Sequence, residues 1–105
     1  MKVNILGTEY EIDYKDLSGE DIDGYCDYTS KHIVIRNDNS NGVEGFENLQ
    51  KKQLRHEIIH AFLAESGLQC NFEHANRWGH EETMVDWFAI QAPKIYEAFK
   101  QAGCI

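Results

Sequence analysis

Two histidines four residues apart stand in the middle of the most regular helical pattern of the chain. Apolar residues recur around them at spacings of three and four, at Leu54, Ile58, Ala61 and Phe62. This period predicts a helix of about five turns that begins near Glu47 and ends at Gly67. The remaining segments have to pack against this helix.

The histidines belong to the pattern His56-Glu57-Ile58-Ile59-His60, an H-E-x-x-H motif. Four residues advance a helix by about 40° beyond one turn, so both imidazoles project from one face and can bind one metal ion. Glu57 lies about 100° away, too far to be an equivalent third ligand but able to reach a water molecule beside the metal. Leu54 and Ile58 lie on the other side of the helix, which predicts packing through one flank and imidazoles on the opposite flank.

A second helix is predicted from the pattern after a polar stretch. It runs from about His80 to Gln91, and Pro93 kinks or ends it before a further helical stretch from Lys94 to Ala102. This helix carries the acidic residues that are available to complete a metal site.

A catalytic zinc site needs a third protein ligand and an open position. A metzincin third histidine is excluded, because Leu63 and Ser66 stand where that pattern has Gly and His. Glu82 and Asp86 share a helix face, which favours Glu82 as the third ligand and Asp86 as the acceptor of a histidine's second N–H. Glu81 points elsewhere and is interpreted as an acid that stabilises the helix N-terminus.

The first part of the chain is predicted to form two β-hairpins. One runs from Lys2 to Tyr14 around a Gly7-Thr8 turn, and the other joins Tyr25 to Tyr28 with His32 to Arg36. The segment between them, Asp16 to Asp27, is interpreted as a solvated acidic loop. The sequence therefore predicts an α+β class in one domain spanning residues 1–105.

Charge and composition exclude several functions. The 105 residues include 18 acidic and 10 basic residues, a net charge of −8, which argues against nucleic acid as a partner. No apolar run approaches the roughly 18 residues of a membrane span, and the first residues do not resemble a signal peptide. The 3 cysteines are widely spaced and are interpreted as reduced thiols. We therefore expect a cytoplasmic protein with no membrane partner.

The two motifs together resemble a known family of enzymes. His56-Glu57-x-x-His60 followed by Glu82-x-x-x-Asp86 is similar to the gluzincin branch of zinc metallopeptidases. The run ETMVDWFA from Glu82 resembles the second-helix signature of ImmA/IrrE-type peptidases and of small zincin-like proteins from phages and prophages. The resemblance covers roughly residues 50 to 90.

The resemblance implies a site and a fold. It implies one Zn²⁺ held by His56, His60 and Glu82, with Glu57 as the general base and Asp86 orienting His56. It further implies a minimal zincin-like fold, with a small antiparallel or mixed sheet packed on the motif helix and on a C-terminal helix. The Ile33 to Arg36 strand is expected at the sheet edge beside the cleft, where an extended substrate can add as a strand.

The leading hypothesis is a zinc metallopeptidase that acts on a peptide or protein substrate. One alternative is a non-catalytic, zinc-stabilised domain that binds other proteins, and another is an acidic decoy that binds a basic protein through residues 9 to 27. Further donors to the oxyanion would assist hydrolysis. The candidates for that role are His74, Arg77, His80 and Tyr28.

Overall fold

A four-stranded sheet lies beside two long helices in the computed structural model. The structure describes residues 1–67 and 82–105, without the side chains of residues 82, 83, 85, 86 and 89. The elements are β1 (Lys2–Ile5), β2 (Thr8–Lys15), β3 (Gly24–Asp27), β4 (His32–Arg36), α1 (Phe46–Glu65) and α2 (Glu82–Gln101). This arrangement confirms the predicted α+β class.

The sheet joins the two predicted hairpins through a parallel pair. β1 pairs with β2 and β3 pairs with β4, both antiparallel, while β2 and β4 run parallel, which gives the order β1-β2-β4-β3. The first turn is formed by Leu6 and Gly7, both at positive φ, so Thr8 already belongs to β2. Positive φ at both central residues gives a two-residue turn the twist that the flanking strands need.

The expected position of β4 at the sheet edge is wrong. β4 lies between β2 and β3, and its residues Ile33, Val34 and Ile35 are all buried. A strand with consecutive buried apolar residues on both faces gains most from a central place, where neither face meets water. In the described part of the chain, β3 is the edge strand on this side, and its residues alternate between exposed and half-buried.

α1 packs against the sheet through the flank that the sequence predicts. It begins after Gly45, ends at the Ser66-Gly67 turn, and contributes Leu54, Ile58 and Phe62 to the core. Sheet residues and the end of α2 complete the same core, at Val3, Ile5, Tyr10, Ile12, Ile33, Ile35, Ile95, Ala98 and Ala102. The packing therefore turns the opposite flank of α1 away from the core.

α2 is one helix rather than two. It runs from Glu82 to Gln101 with Pro93 inside it, so the helix does not end at the proline. None of the helices in the described ranges has the length and apolarity needed to cross a bilayer.

A buried arginine organises the acidic loop between β2 and β3. The guanidinium of Arg36 donates from Nη2 to the backbone oxygens of Leu17 and Glu20, and from Nε to that of Ile22. The acidic side chains of this loop are exposed, as predicted, but its backbone is tied to the end of β4. A charged group that is only 5% exposed needs such partners, because an unpaired buried charge is costly.

Gly24 marks the closest approach of β3 to its neighbours. A Cβ there would lie 2.6 Å from the Val34 carbonyl oxygen, whereas a Cβ on Gly19 would meet nothing within 4 Å. We expect Gly24→Ala to lower the free energy of unfolding by about 1–3 kcal/mol, because β3 has to shift. Gly19→Ala should change it by less than about 0.5 kcal/mol. Urea denaturation measures both, and equal effects would show that the close approach is not formed.

Candidate metal centre

The motif residues occupy two different environments on α1. His56 and His60 are exposed on the flank that faces away from the core, whereas Glu57 is buried, with 4% of its surface exposed. The difference follows from the helical period, because the packing of Leu54 and Ile58 turns both imidazoles outward. This orientation confirms the prediction that one flank of the helix packs and the opposite flank presents the imidazoles.

The two imidazoles lie in contact with each other on the exposed flank of α1. Their Nε2 atoms lie 3.2 Å apart, and their ring centroids lie 4.8 Å apart with the planes at 72°. Two nitrogens bound at about 2.0–2.1 Å to a tetrahedral zinc lie about 3.3 Å from each other. The observed separation of the Nε2 atoms matches the spacing around a shared zinc ion, and it is also the length of a hydrogen bond between the two rings.

Glu57 lies within the same small donor group. One ligand atom from each of His56, Glu57 and His60 can be chosen so that all three lie within 4.8 Å of one another. The Glu57 carboxylate also accepts a hydrogen bond at Oε2 from Nε2 of Gln53, at 2.6 Å. A contact within the helix thus restrains the carboxylate.

An open cleft of about 700 Å³ gives access to this group. α1 forms one wall with Gln53, both motif histidines, Glu57 and Leu63, and residues 21–26 together with Tyr28 form the other. The second wall consists of the last part of the acidic loop and the edge strand β3. The cleft therefore lies between a helix that carries metal donors and a strand whose outer edge is free of other strands in the described ranges.

The predicted site residues divide into three groups. His56, Glu57 and His60 come together, and Tyr28 lines the same cleft with 49% of its surface exposed. Glu82 and Asp86 lie in the first turns of α2, but their side chains are not among those that the structure describes. The oxyanion candidates His74, Arg77 and His80 lie outside the described residues.

Two residues that line the cleft, Gln53 and Cys26, were not predicted from the sequence. Gln53 stands four residues before Glu57, a helical spacing that places the two side chains next to each other and could have indicated the contact. Cys26 enters the cleft from β3, and no local pattern places it there. Burial, and next the Glu57 carboxylate, raise the pKa of its thiol to about 12. Cys26 therefore keeps its proton at neutral pH.

The comparisons with known proteins identify no relative. No protein-family model, curated protein or solved structure matches this chain. Function is consequently argued from the donor group and the cleft rather than from a relative.

Proposed function

We propose that this protein is a zinc-dependent peptidase that hydrolyses peptide bonds in an extended peptide or protein segment. The observation that carries the proposal is the buried Glu57 carboxylate next to the exposed imidazoles of His56 and His60, all three in the lining of one cleft. A site that only bound a metal for stability would gain nothing from a second kind of donor, a carboxylate, placed beside the ligands in the lining of a cleft.

The proposed metal ligands are the two motif histidines and Glu82. The Nε2 separation of 3.2 Å suits zinc, and Glu82 belongs to the first turn of α2. Asp86, one turn later, is proposed to accept the second N–H of His56 and so to hold the ring in one orientation. Zinc bound there would supply Lewis acidity, which makes water a stronger acid and a carbonyl carbon more electrophilic.

Glu57 is proposed to move the protons of the reaction. Its carboxylate takes a proton from the attacking water while the water oxygen forms a bond to the carbonyl carbon. The carboxylic acid then gives this proton to the amide nitrogen as the C–N bond breaks, which releases an amine and a carboxylic acid. The base is regenerated, and the net reaction is the addition of one water molecule.

The proposed substrate is an extended peptide that binds along the edge of β3. β3 has a free edge in the described ranges and lines the cleft opposite the donor group. Backbone N–H and C=O groups at a strand edge can pair with an added peptide strand. The expected site of strand addition therefore moves from β4 to β3, and the net charge of −8 disfavours nucleic acid as the substrate.

The test combines metal content with peptide cleavage. The protein is stripped with a chelator, reloaded with zinc and incubated with a complex peptide mixture, and new peptide ends are identified by mass spectrometry. We expect one zinc ion per chain and cleavage that disappears both with the chelator and in His56→Ala. Zinc binding at this stoichiometry without any cleavage would contradict the proposal and favour the non-catalytic protein-binding domain.

The ligand assignment on α2 has its own prediction. We expect Glu82→Ala to weaken zinc binding by about 100-fold or more, because a lost ligand costs more than a lost supporting contact. Glu81→Ala is the matched control and should change the affinity by less than about 3-fold. Competition with a chromogenic chelator measures both dissociation constants. The reverse order of affinities would assign the ligand to Glu81.

A further inference from the structure

The Glu57 carboxylate is held from one side by a neutral side chain. Gln53 lies one turn earlier on α1, and its Nε2 donates to Oε2 of Glu57 at 2.6 Å. Among the described residues, no hydrogen bond to Oε1 accompanies it. The contact therefore orients the carboxylate through Oε2.

Gln53 is itself confined by the edge strand. It is half-buried, and a Cβ built on Gly24 would lie 3.3 Å from its Cγ, so the backbone of β3 lies directly against its side-chain stem. A side chain packed between a helix and a strand has fewer rotamers than one in solvent, and the hydrogen bond that it donates is pre-organised. Gln53 therefore connects β3, which forms one wall of the cleft, with the Glu57 carboxylate.

The chemistry of the amide suits this place. A lysine or arginine would hold the carboxylate equally well, but its positive charge would offset the negative charge that makes Glu57 a base. The amide of Gln53 donates a hydrogen bond and carries no formal charge. It can restrict the rotation of the carboxylate and still leave a group that accepts a proton.

We infer that Gln53 is a positioning residue that holds the Glu57 carboxylate in the orientation needed to take a proton from the attacking water. This role rests on the proposed peptidase function. A general base acts over hydrogen-bond distances, and small losses of alignment lower the rate of the chemical step. Removing the amide should therefore affect kcat, with little effect on peptide binding or on the metal ligands.

Gln50 provides a matched control on the same helix. It is also half-buried, and its Nε2 donates to the backbone oxygen of Arg36 at 3.0 Å, away from Glu57. Gln53→Met and Gln50→Met each remove one neutral donor and keep a side chain of similar length. The probe is the peptide that the zinc-loaded wild type cleaves fastest.

We expect Gln53→Met to lower kcat by about 10- to 100-fold, with KM and zinc content nearly unchanged. Gln50→Met should keep kcat within about 2-fold of the wild type. An equal change of kcat in the two variants would overturn the inference. A wild type that cleaves no peptide would instead overturn the proposed function, and the catalytic role of Gln53 with it.

A second measurement needs no activity. In the zinc-free protein, the side-chain amide proton signals of Gln53 should shift when Glu57 is replaced by alanine, while those of Gln50 stay in place. The amide signals of Gln53 are assigned by their loss in Gln53→Met, and those of Gln50 by their loss in Gln50→Met. If one of these variants does not fold, the signals are assigned sequentially in the wild type. Gln53 signals that do not respond to Glu57→Ala would overturn the inference, because the hydrogen bond would then not exist in solution.

Discussion

Glu57→Gln is expected to lower peptide hydrolysis by about 10²–10⁴-fold while the fold and the zinc content stay the same. The glutamine has the shape of the carboxylate and can still accept a hydrogen bond from Gln53 through its own oxygen, so the buried contact survives. It cannot take a proton from water. The measurement is kcat on the best-cleaved peptide, together with zinc content and a thermal melt.

Glu65 on the same helix serves as the control for this substitution. Its carboxylate accepts hydrogen bonds from Thr8, Tyr10 and Lys31, and it does not line the cleft. Glu65→Gln should reduce stability, because it removes the negative charge that faces Lys31, and should leave kcat within about 2-fold. Equal hydrolysis by Glu57→Gln and the wild type would exclude Glu57 as the base.

Arg36→Met is expected to lower the free energy of unfolding by about 3–5 kcal/mol, the largest stability effect that we predict. The guanidinium satisfies three backbone oxygens of the acidic loop, those of Leu17, Glu20 and Ile22, and lies 3.5 Å from a carboxylate oxygen of Asp38. Methionine fills a similar volume but donates nothing to these oxygens. Urea denaturation measures the loss.

Arg55→Met is the matched control for stability. Its Nη1 donates to the single backbone oxygen of Cys104, at 2.8 Å. Losing this one partly buried hydrogen bond should cost about 1 kcal/mol. Similar costs for the two arginine variants would contradict the organising role of Arg36.

The same loop forms part of the cleft wall, so Arg36 also links stability to the site. Residues 21–23 line the cleft, and the Ile22 oxygen and the Asp23 carboxylate lie next to the guanidinium. Once Arg36 is replaced, this wall loses the guanidinium contact at the Ile22 oxygen and keeps only the backbone hydrogen bond from the Arg36 N–H to the Asp23 oxygen. Loss of stability and loss of peptide binding are therefore expected together in Arg36→Met.

Local patterns were sufficient for much of the fold. The apolar period around Leu54 and Ile58 predicted α1 and its packed flank, because a helix repeats every 3.6 residues and one stripe of side chains must leave water. The hairpins followed from alternation and short turns, which are also local signals. The pairing of His56 with His60 needed only the helical rise, and the structure places their nitrogens 3.2 Å apart.

Contacts between segments that are distant in the sequence could not be predicted from local patterns. The parallel pairing of β2 with β4 joins residues that are about twenty positions apart, and it moved β4 from the expected edge into the middle of the sheet. The sequence of β4 does not specify β2 as its neighbour, because a strand of buried apolar residues can pair with several other strands. The place of β3 beside α1 depends on the same pairing and on the close approach at Gly24.

The sequence by itself determined the α+β class, the motif helix and the histidine pair, since each depends on residues within a few turns or a short hairpin of one another. Only the tertiary structure decided which strand faces the donor group, how Arg36 ties the acidic loop to the end of β4, and why Gln53 is confined next to Glu57. These features arise where separate elements meet. Their geometry is set by packing the whole core at once, which no local period specifies.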